Sequence, residues 1–235
     1  AFRALENLDR SVSVAKGRVE APVVVHEADM AFPADVLEGQ KTGWFFDQRD
    51  NRDFVAGLAG GGRMLDVFCH SAAFGVGAAG RGATDVLGID SSERALELGR
   101  EAARLNGVED RCRFLHGDAF RHLEELDGAG ERFQVVAADP PAFIKSKKDL
   151  KAGMRGYRKL ARMAARLVAP GGILFMASCS YNAEAGLFAK EVASGMRSAG
   201  RTGRVIRTAG AGPDHPVHPF LAESAYLKTV VLHLD

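Results

Sequence analysis

From residue 63 onward, short apolar runs alternate with amphipathic stretches, and few folds accept that pattern. "RMLDVFC", "TDVLGID", "CRFLHGD", "FQVVAADPP" and "GILFMASCS" each read as a strand buried on both faces. The stretches between them read as helices. "AAFGVGAAG" is a short one. "SSERALELGREAARLNG" starts on a serine cap and ends at Gly107. A third covers about 119–126, and a basic helix covers about 149–168, stopped by "PGG"; "NAEAGLFAKEVASGMRSAG" is the last. Strand–helix repetition predicts a mostly parallel α/β sheet of Rossmann-like type, with helices on both faces. "RVIRTAG" and "AYLKTVVLHL" close the chain as strands without a clear helix between them, which predicts an antiparallel addition at one edge.

Upstream of this lies a different texture. "VEAPVVVHEADMAFPADV" alternates weakly around Pro22 and Pro33, as short strands in a hairpin-like lead-in would. "FDQRDNRDFVAGLA" reads as a short helix with Asp47 as N-cap, ended by Gly60 to Gly62. The expected division is a β-rich lead-in over 1–45 and an α/β domain over 46–235. The chain starts at Ala1 rather than Met, which leaves room for a segment upstream.

Bulk properties narrow the setting. The 31 basic and 30 acidic residues nearly cancel, so a polyanion partner would have to be met by local clustering. The three cysteines, Cys69, Cys112 and Cys179, are odd in number and widely spaced. They argue against a disulfide framework or a Cys-rich zinc site and fit a reducing, cytoplasmic setting. No apolar run is long enough to span a bilayer, and no signal peptide is visible.

Ligands of open α/β sheets bind at the carboxyl ends of the strands, and acids recur there. Asp66 sits inside the first strand, which leads into a turn offering Phe68, His70, Ser71 and Phe74. Backbone N–H groups of that turn are placed to meet a carboxylate. Asp90, followed by Ser91, ends the second strand and suits two ribose hydroxyls. Asp118 and Ala119 end the third, where the acid suits an adenine amino group. The turn lacks the G-x-G-x-x-G pattern that a dinucleotide pyrophosphate needs. Acids without a phosphate cradle favour S-adenosylmethionine, which carries an ammonium and a sulfonium and no phosphate. The bland alternative is that these acids merely cap helices.

The fourth strand ends "ADPPAF". Two prolines cannot continue a ladder, and they stiffen the tip so that Asp139 faces the crevice. The fifth strand ends "ASCSY", bringing Cys179 to the same end of the sheet. An isolated cysteine is usually a small core residue, yet a thiolate at this end can act as a nucleophile. Cys112 begins a strand at the opposite end, and Cys69 reads as a packing residue.

"KTGWFFDQRDNR", "DPPAFIKSKKDL", "PGGILFMASCSYN" and "DHPVHPFLAESAYLK", in this order, resemble the class I methyltransferases that make 5-methylcytosine in large-subunit (23S) ribosomal RNA. The resemblance covers about residues 20–235. It implies a seven-stranded sheet that binds S-adenosylmethionine. It also implies that Asp47 to Arg49, including Gln48 and Arg49, folds over the cofactor, and that Cys179 attacks the base while Asp139 steadies it. Members carry an N-terminal RNA-binding PUA domain, which these residues do not show. Members also often have glycines where this chain has Ser71-Ala72-Ala73.

From Lys145 to Arg166 there are nine basic residues against one acid, Asp149. Lys145, Lys147 and Lys148, beside the crevice, suit an RNA backbone, although a charge run is also what a solvated helix face looks like. Two other readings compete. One is methylation of a ring nitrogen or exocyclic amine of a base, for which Cys179 is unnecessary. The other is an RNA-binding protein on this scaffold that has lost catalysis. Oligomeric state is left open, with a homodimer as one option.

Overall fold

The computed structural model describes residues 14–37, 39 and 43–235. The first thirteen residues of the expected lead-in, and Lys41 and Thr42 of "KTGW", lie outside the described residues.

Two strands, β1 (Val23–Glu27) and β2 (Met30–Ala34), pair antiparallel as the expected hairpin. Its turn residues Ala28 and Asp29 both have positive φ, 48° and 64°, the geometry that matches the twist of paired strands. A 3-10 turn, Phe46–Gln48, then leads into helix α1 (Arg49–Leu58). Asp47 is not the N-cap expected of it: the 3-10 turn buries Asp47, whose carboxylate accepts a 2.6 Å hydrogen bond from Tyr226 Oη.

The rest alternates as the sequence predicts: β3 (Arg63–Val67), α2 (Ala73–Gly80), β4 (Asp85–Asp90), α3 (Glu93–Leu105), β5 (Cys112–His116), α4 (Ala119–Gly128), β6 (Phe133–Ala138), α5 (Leu150–Leu167), β7 (Val168–Ser178), α6 (Ala185–Ser198), β8 (Gly203–Ala209) and β9 (Lys228–Leu234). The sheet order is β5-β4-β3-β6-β7-β9-β8. The antiparallel addition falls at one edge: β9 enters between β7 and β8 and runs against both. The "PGG" does not itself stop α5. That helix has ended at Leu167, and Pro170 to Gly172 bulge out of β7, so Phe133 pairs with Val168 and Val135 already with Ile173.

Strand pleat divides the central strands between two cores. Leu65, Val136 and Leu174 face one layer with Leu123, Tyr157 and Phe188 of α4, α5 and α6. Met64, Val135 and Phe175 face the other with Val55, Val76 and Leu96 of α1, α2 and α3. Burying each such side chain contributes about 1.5–3 kcal/mol, which makes the sheet a rigid frame for the loops at its carboxyl end. Ser92 caps α3 by accepting from Ala95 N–H at 3.2 Å, and Gly107 at φ 62° lets the chain leave it.

The hairpin is fastened to this frame. Asn106, at the end of α3, exchanges two hydrogen bonds with the Ala31 backbone, at 2.9 and 2.7 Å. Buried Glu27 takes a fork from Arg52 of α1, at 2.6 and 2.5 Å, and a bond from the Trp44 indole at 3.1 Å. The Arg52 guanidinium also lies over the Trp44 ring, 4.9 Å from its centroid.

Candidate active site

The carboxyl ends of β3, β4, β6 and β7 open into a cavity of about 580 Å³, a size that suits a cofactor with a small substrate. Its floor is the turn from β3 to α2, which supplies Phe68, Cys69, His70, Ser71 and Phe74; Asp90 and Ser91 come from the end of β4. Asp139 with its two prolines comes from β6, and Cys179 from the end of β7. Trp44, Phe45, Asp47, Gln48 and Arg52 close one side.

The β3–α2 turn is shaped by three non-glycine residues in the left-handed region, Phe68, His70 and Ala72, at φ 62°, 50° and 58°. Such residues cost free energy and persist where surroundings fix them, as at binding sites. Asp90 does part of the fixing. One of its oxygens accepts from His70 N–H at 2.8 Å and the other from Ser92 N–H at 2.9 Å. His70 N–H is therefore already engaged, and Ala72 N–H donates to Cys69 C=O at 2.7 Å. Neither is free to meet a ligand carboxylate, as the sequence had suggested for this turn. Each Asp90 oxygen retains a second lone pair, which keeps the carboxylate able to accept from a diol. Burial pushes the His70 pKa below its ordinary value, with Asp90 opposing.

Asp66 is placed behind the cavity wall rather than in it. It is buried and accepts a 2.9 Å bond from Gly75 N–H, near the start of α2. A Cβ on Gly75 would meet Val86 at 2.7 Å and Asp66 at 3.3 Å, so glycine is what permits this approach. Burial raises the Asp66 pKa to about 7; Asp139 and Asp90 add to the rise, and the Gly75 bond opposes it. The acids that line the cavity itself, Asp90 and Asp139, suit a cationic ligand.

Asp139 is aimed by a relay that begins in the "DQRDN" stretch. Gln48 donates to Asp139 Oδ2 at 2.8 Å. Asn51 donates to Gln48 Oε1 at 2.7 Å and to Gly210 C=O at 3.0 Å. Arg49 faces outward instead and pairs with Asp214 at 3.0 Å. Asp118 caps α4 by accepting from Arg121 N–H at 2.9 Å, and neither it nor Ala119 lines the cavity. The ordinary capping role therefore describes what Asp118 does among the described residues.

Cys179 is half-buried at the cavity wall; Cys69 and Cys112 are buried, and burial pushes both their pKa values up, that of Cys112 to about 11. Lys145 is exposed on the loop that follows Pro140 and Pro141, and Lys147 and Lys148 are exposed on the 3-10 turn (Lys147–Asp149) that leads into α5. Farther along α5 the basic run is partly spent on structure: Arg158 binds Glu191 at 2.5 and 2.9 Å, Arg166 reaches Asp127 at 3.5 Å, and Lys159 lies over the Phe120 ring.

Some site residues carry little sequence signal. Trp44, Phe45, Arg52 and Leu227 line the cavity from outside the strand ends. Tyr157 looks like one more apolar position of α5, yet it is hydrogen-bonded to both serines that flank Cys179. Among the described residues there is no group of three or more metal-ligating side chains, and no helix long and apolar enough to cross a membrane.

The chain is 37% identical over 234 residues to the protein named Ribosomal RNA large subunit methyltransferase I of Aeromonas salmonicida, a match covering 99% of this chain and 59% of that protein. It spans about three-fifths of the length of the curated relatives it matches. A solved Streptococcus mutans protein, described as a SAM-dependent methyltransferase, superposes with a TM-score of 0.83 at 22% identity, covering 94% of this chain and 57% of that one. A structure described as a methyltransferase complexed with SAH gives the same TM-score and identity, covering 94% and 58%. The sequence model of the S-adenosylmethionine-dependent methyltransferases matches residues 11–217, and the chain belongs to that family.

Proposed function

We propose that this chain methylates C5 of a cytosine in large-subunit ribosomal RNA, with Cys179 as the nucleophile. The observation that carries the reading is that Cys179 and Asp139 line the same cavity as Asp90 and the β3–α2 turn. A thiol, an oriented carboxylate and a cofactor floor therefore share one space. The name of the Aeromonas salmonicida relative supports ribosomal RNA as the substrate class.

The residues present fit S-adenosylmethionine. Asp90 would hold the ribose, Phe68 and Phe74 offer apolar walls, and the acids that line the cavity suit a ligand with net positive charge. When bound, S-adenosylmethionine supplies an electrophilic methyl group on a sulfonium. The chain's own residues make C5 able to accept it. The Cys179 thiolate attacks C6 of the ring, forming a C–S bond and moving electron density to C5 and N3. Asp139, held by Gln48 through one oxygen, meets N3 as its carboxylic acid, whose O–H donates to N3 and whose proton passes toward N3 as negative charge gathers there. After transfer, a general base takes the C5 proton, the C–H electrons restore the C5–C6 double bond, and the C6–S bond breaks with its electrons going to sulfur as the thiolate. A target base must leave its stack to enter the cavity, and Lys145, Lys147 and Lys148, which are exposed, would bind the flanking phosphates.

The test is to incubate rRNA with S-adenosylmethionine and each enzyme, then identify the product nucleoside by mass spectrometry. Wild type should yield 5-methylcytidine and Cys179→Ala none. A methylated amine or ring nitrogen, or full activity in Cys179→Ala, would replace this reading by nitrogen methylation.

A further inference from the structure

A buried lysine stands beside Cys179 and has no part in the chemistry above. Lys228 opens β9 and pairs in register with Ser178, the last residue of β7. Its Nζ donates to Ser180 C=O at 2.6 Å. The residues on either side of Cys179 are thus tied to the same lysine, one by strand register and one by its ammonium. Their side chains are fixed from the opposite direction. Ser178 Oγ donates to Tyr157 Oη at 2.8 Å, Tyr157 Oη lies 2.8 Å from Ser180 Oγ, and Ile144 N–H donates to Ser180 Oγ at 3.1 Å.

A lysine is almost never fully buried unless it is paired, because desolvating an ammonium is costly. On its far side Lys228 borders a second cavity of about 320 Å³, whose other walls are Ala185, Phe188 and Ala189 of α6, Thr208 and Ala209 of β8, and Thr229 and Val230. None of these is acidic. Burial lowers the Lys228 pKa to about 8, and the charge of Cys179 is what opposes the fall. The Cys179 charge is also felt by Tyr157 of α5 and by Tyr226, just before β9, itself bonded to Asp47. Of the three groups on which the Cys179 charge acts here, the two tyrosines are neutral or anionic and Lys228 is the cation.

We propose that Lys228 is a positioning residue for Cys179: its ammonium fixes the Ser180 carbonyl and supplies the buried positive charge that favours the thiolate over the thiol. The proposal rests on Cys179 being the nucleophile, but its readout does not, since alkylation needs neither RNA nor methyl transfer.

The experiment follows alkylation of the full chain by iodoacetamide from pH 6 to 10, resolved by peptide mass spectrometry, with Cys69 and Cys112 as internal controls. In Lys228→Met the Cys179 profile should move up by about one pH unit, slowing alkylation at pH 7.5 roughly tenfold, as loss of one adjacent opposite charge implies. S-adenosylmethionine affinity should stay within about twofold. Lys228→Arg, which keeps the charge, should restore the profile. Superimposable profiles for wild type and Lys228→Met would overturn the proposal, as would equal loss in the methionine and arginine variants, which marks a packing role alone. If Lys228→Met does not fold, Lys228→Gln asks the same question with a polar, uncharged side chain. Failure of the nucleophile reading would show separately, as methylation by Cys179→Ala.

Discussion

Asp66→Asn isolates the electrostatic cost of the carboxyl buried behind the cavity wall. Asparagine keeps an oxygen for Gly75 N–H, which lies 2.9 Å from the native carboxylate, and removes the charge. Burial raises the folded pKa of Asp66 from 3.8 to about 7. Because the folded pKa is the higher one, the folded chain binds a proton that the unfolded chain has released. Asp66 therefore contributes most to stability at low pH, and that contribution is lost as pH rises through about 7. Between pH 5 and 8 the protein should lose roughly 2–3 kcal/mol through this group, at about 1.4 kcal/mol per pKa unit over some two units of net proton uptake. The variant has no such loss. Urea denaturation of both proteins at intervals from pH 5 to 8 gives the difference in unfolding free energy directly. The asparagine amide brings a constant cost of its own, so the sign of the slope matters rather than the offset. The variant should gain on wild type as pH rises. A difference that is flat with pH, or that favours wild type at pH 8, would refute the argument that Asp66 is held near neutrality by burial.

Two further outcomes test the ligand contacts. Asp90→Ala should weaken S-adenosylmethionine binding by roughly tenfold or more in calorimetry, since a charge-assisted pair to a diol is worth on the order of 1.5–3 kcal/mol; unchanged affinity in a folded variant would return Asp90 to its role as a clamp on His70 and Ser92. Neutralising Lys145, Lys147 and Lys148 together should reduce the slope of log K against log salt for RNA binding by roughly 2–3, with cofactor affinity unaffected. An unchanged slope would leave these lysines as a solvated face.

The sheet was legible because its parallel strands are bounded by turn chemistry and separated by helical stretches, two of which, α3 and α5, carry a clean apolar stripe. The strand-end acids were legible as a group, but their division of labour was not. Asp66, Asp90 and Asp118 look alike in sequence. In the fold one is buried against Gly75, one faces the cavity, and one caps a helix, a distinction set by strand order and by which oxygens the local backbone already occupies. Asp47 was misread as a cap for a related reason: its partner, Tyr226, lies 179 residues away. Lys228 carried no signal, because a single lysine at the start of an apolar strand usually reaches solvent. Only the pairing of β9 with β7 turns it inward beside Cys179.

The covalent adduct is the central claim, and RNA carrying 5-fluorocytosine at the target position tests it most directly. Fluorine at C5 cannot depart as a proton, so the adduct formed by attack on C6 and methyl transfer cannot resolve. Wild type with S-adenosylmethionine should give a denaturation-resistant protein–RNA complex, with the crosslink mapped to Cys179. The complex should be absent in Cys179→Ala and retained in Cys69→Ala and Cys112→Ala. A wild-type enzyme that methylates ordinary target RNA at C5 but never forms this complex, or a crosslink that survives in Cys179→Ala, would contradict the account.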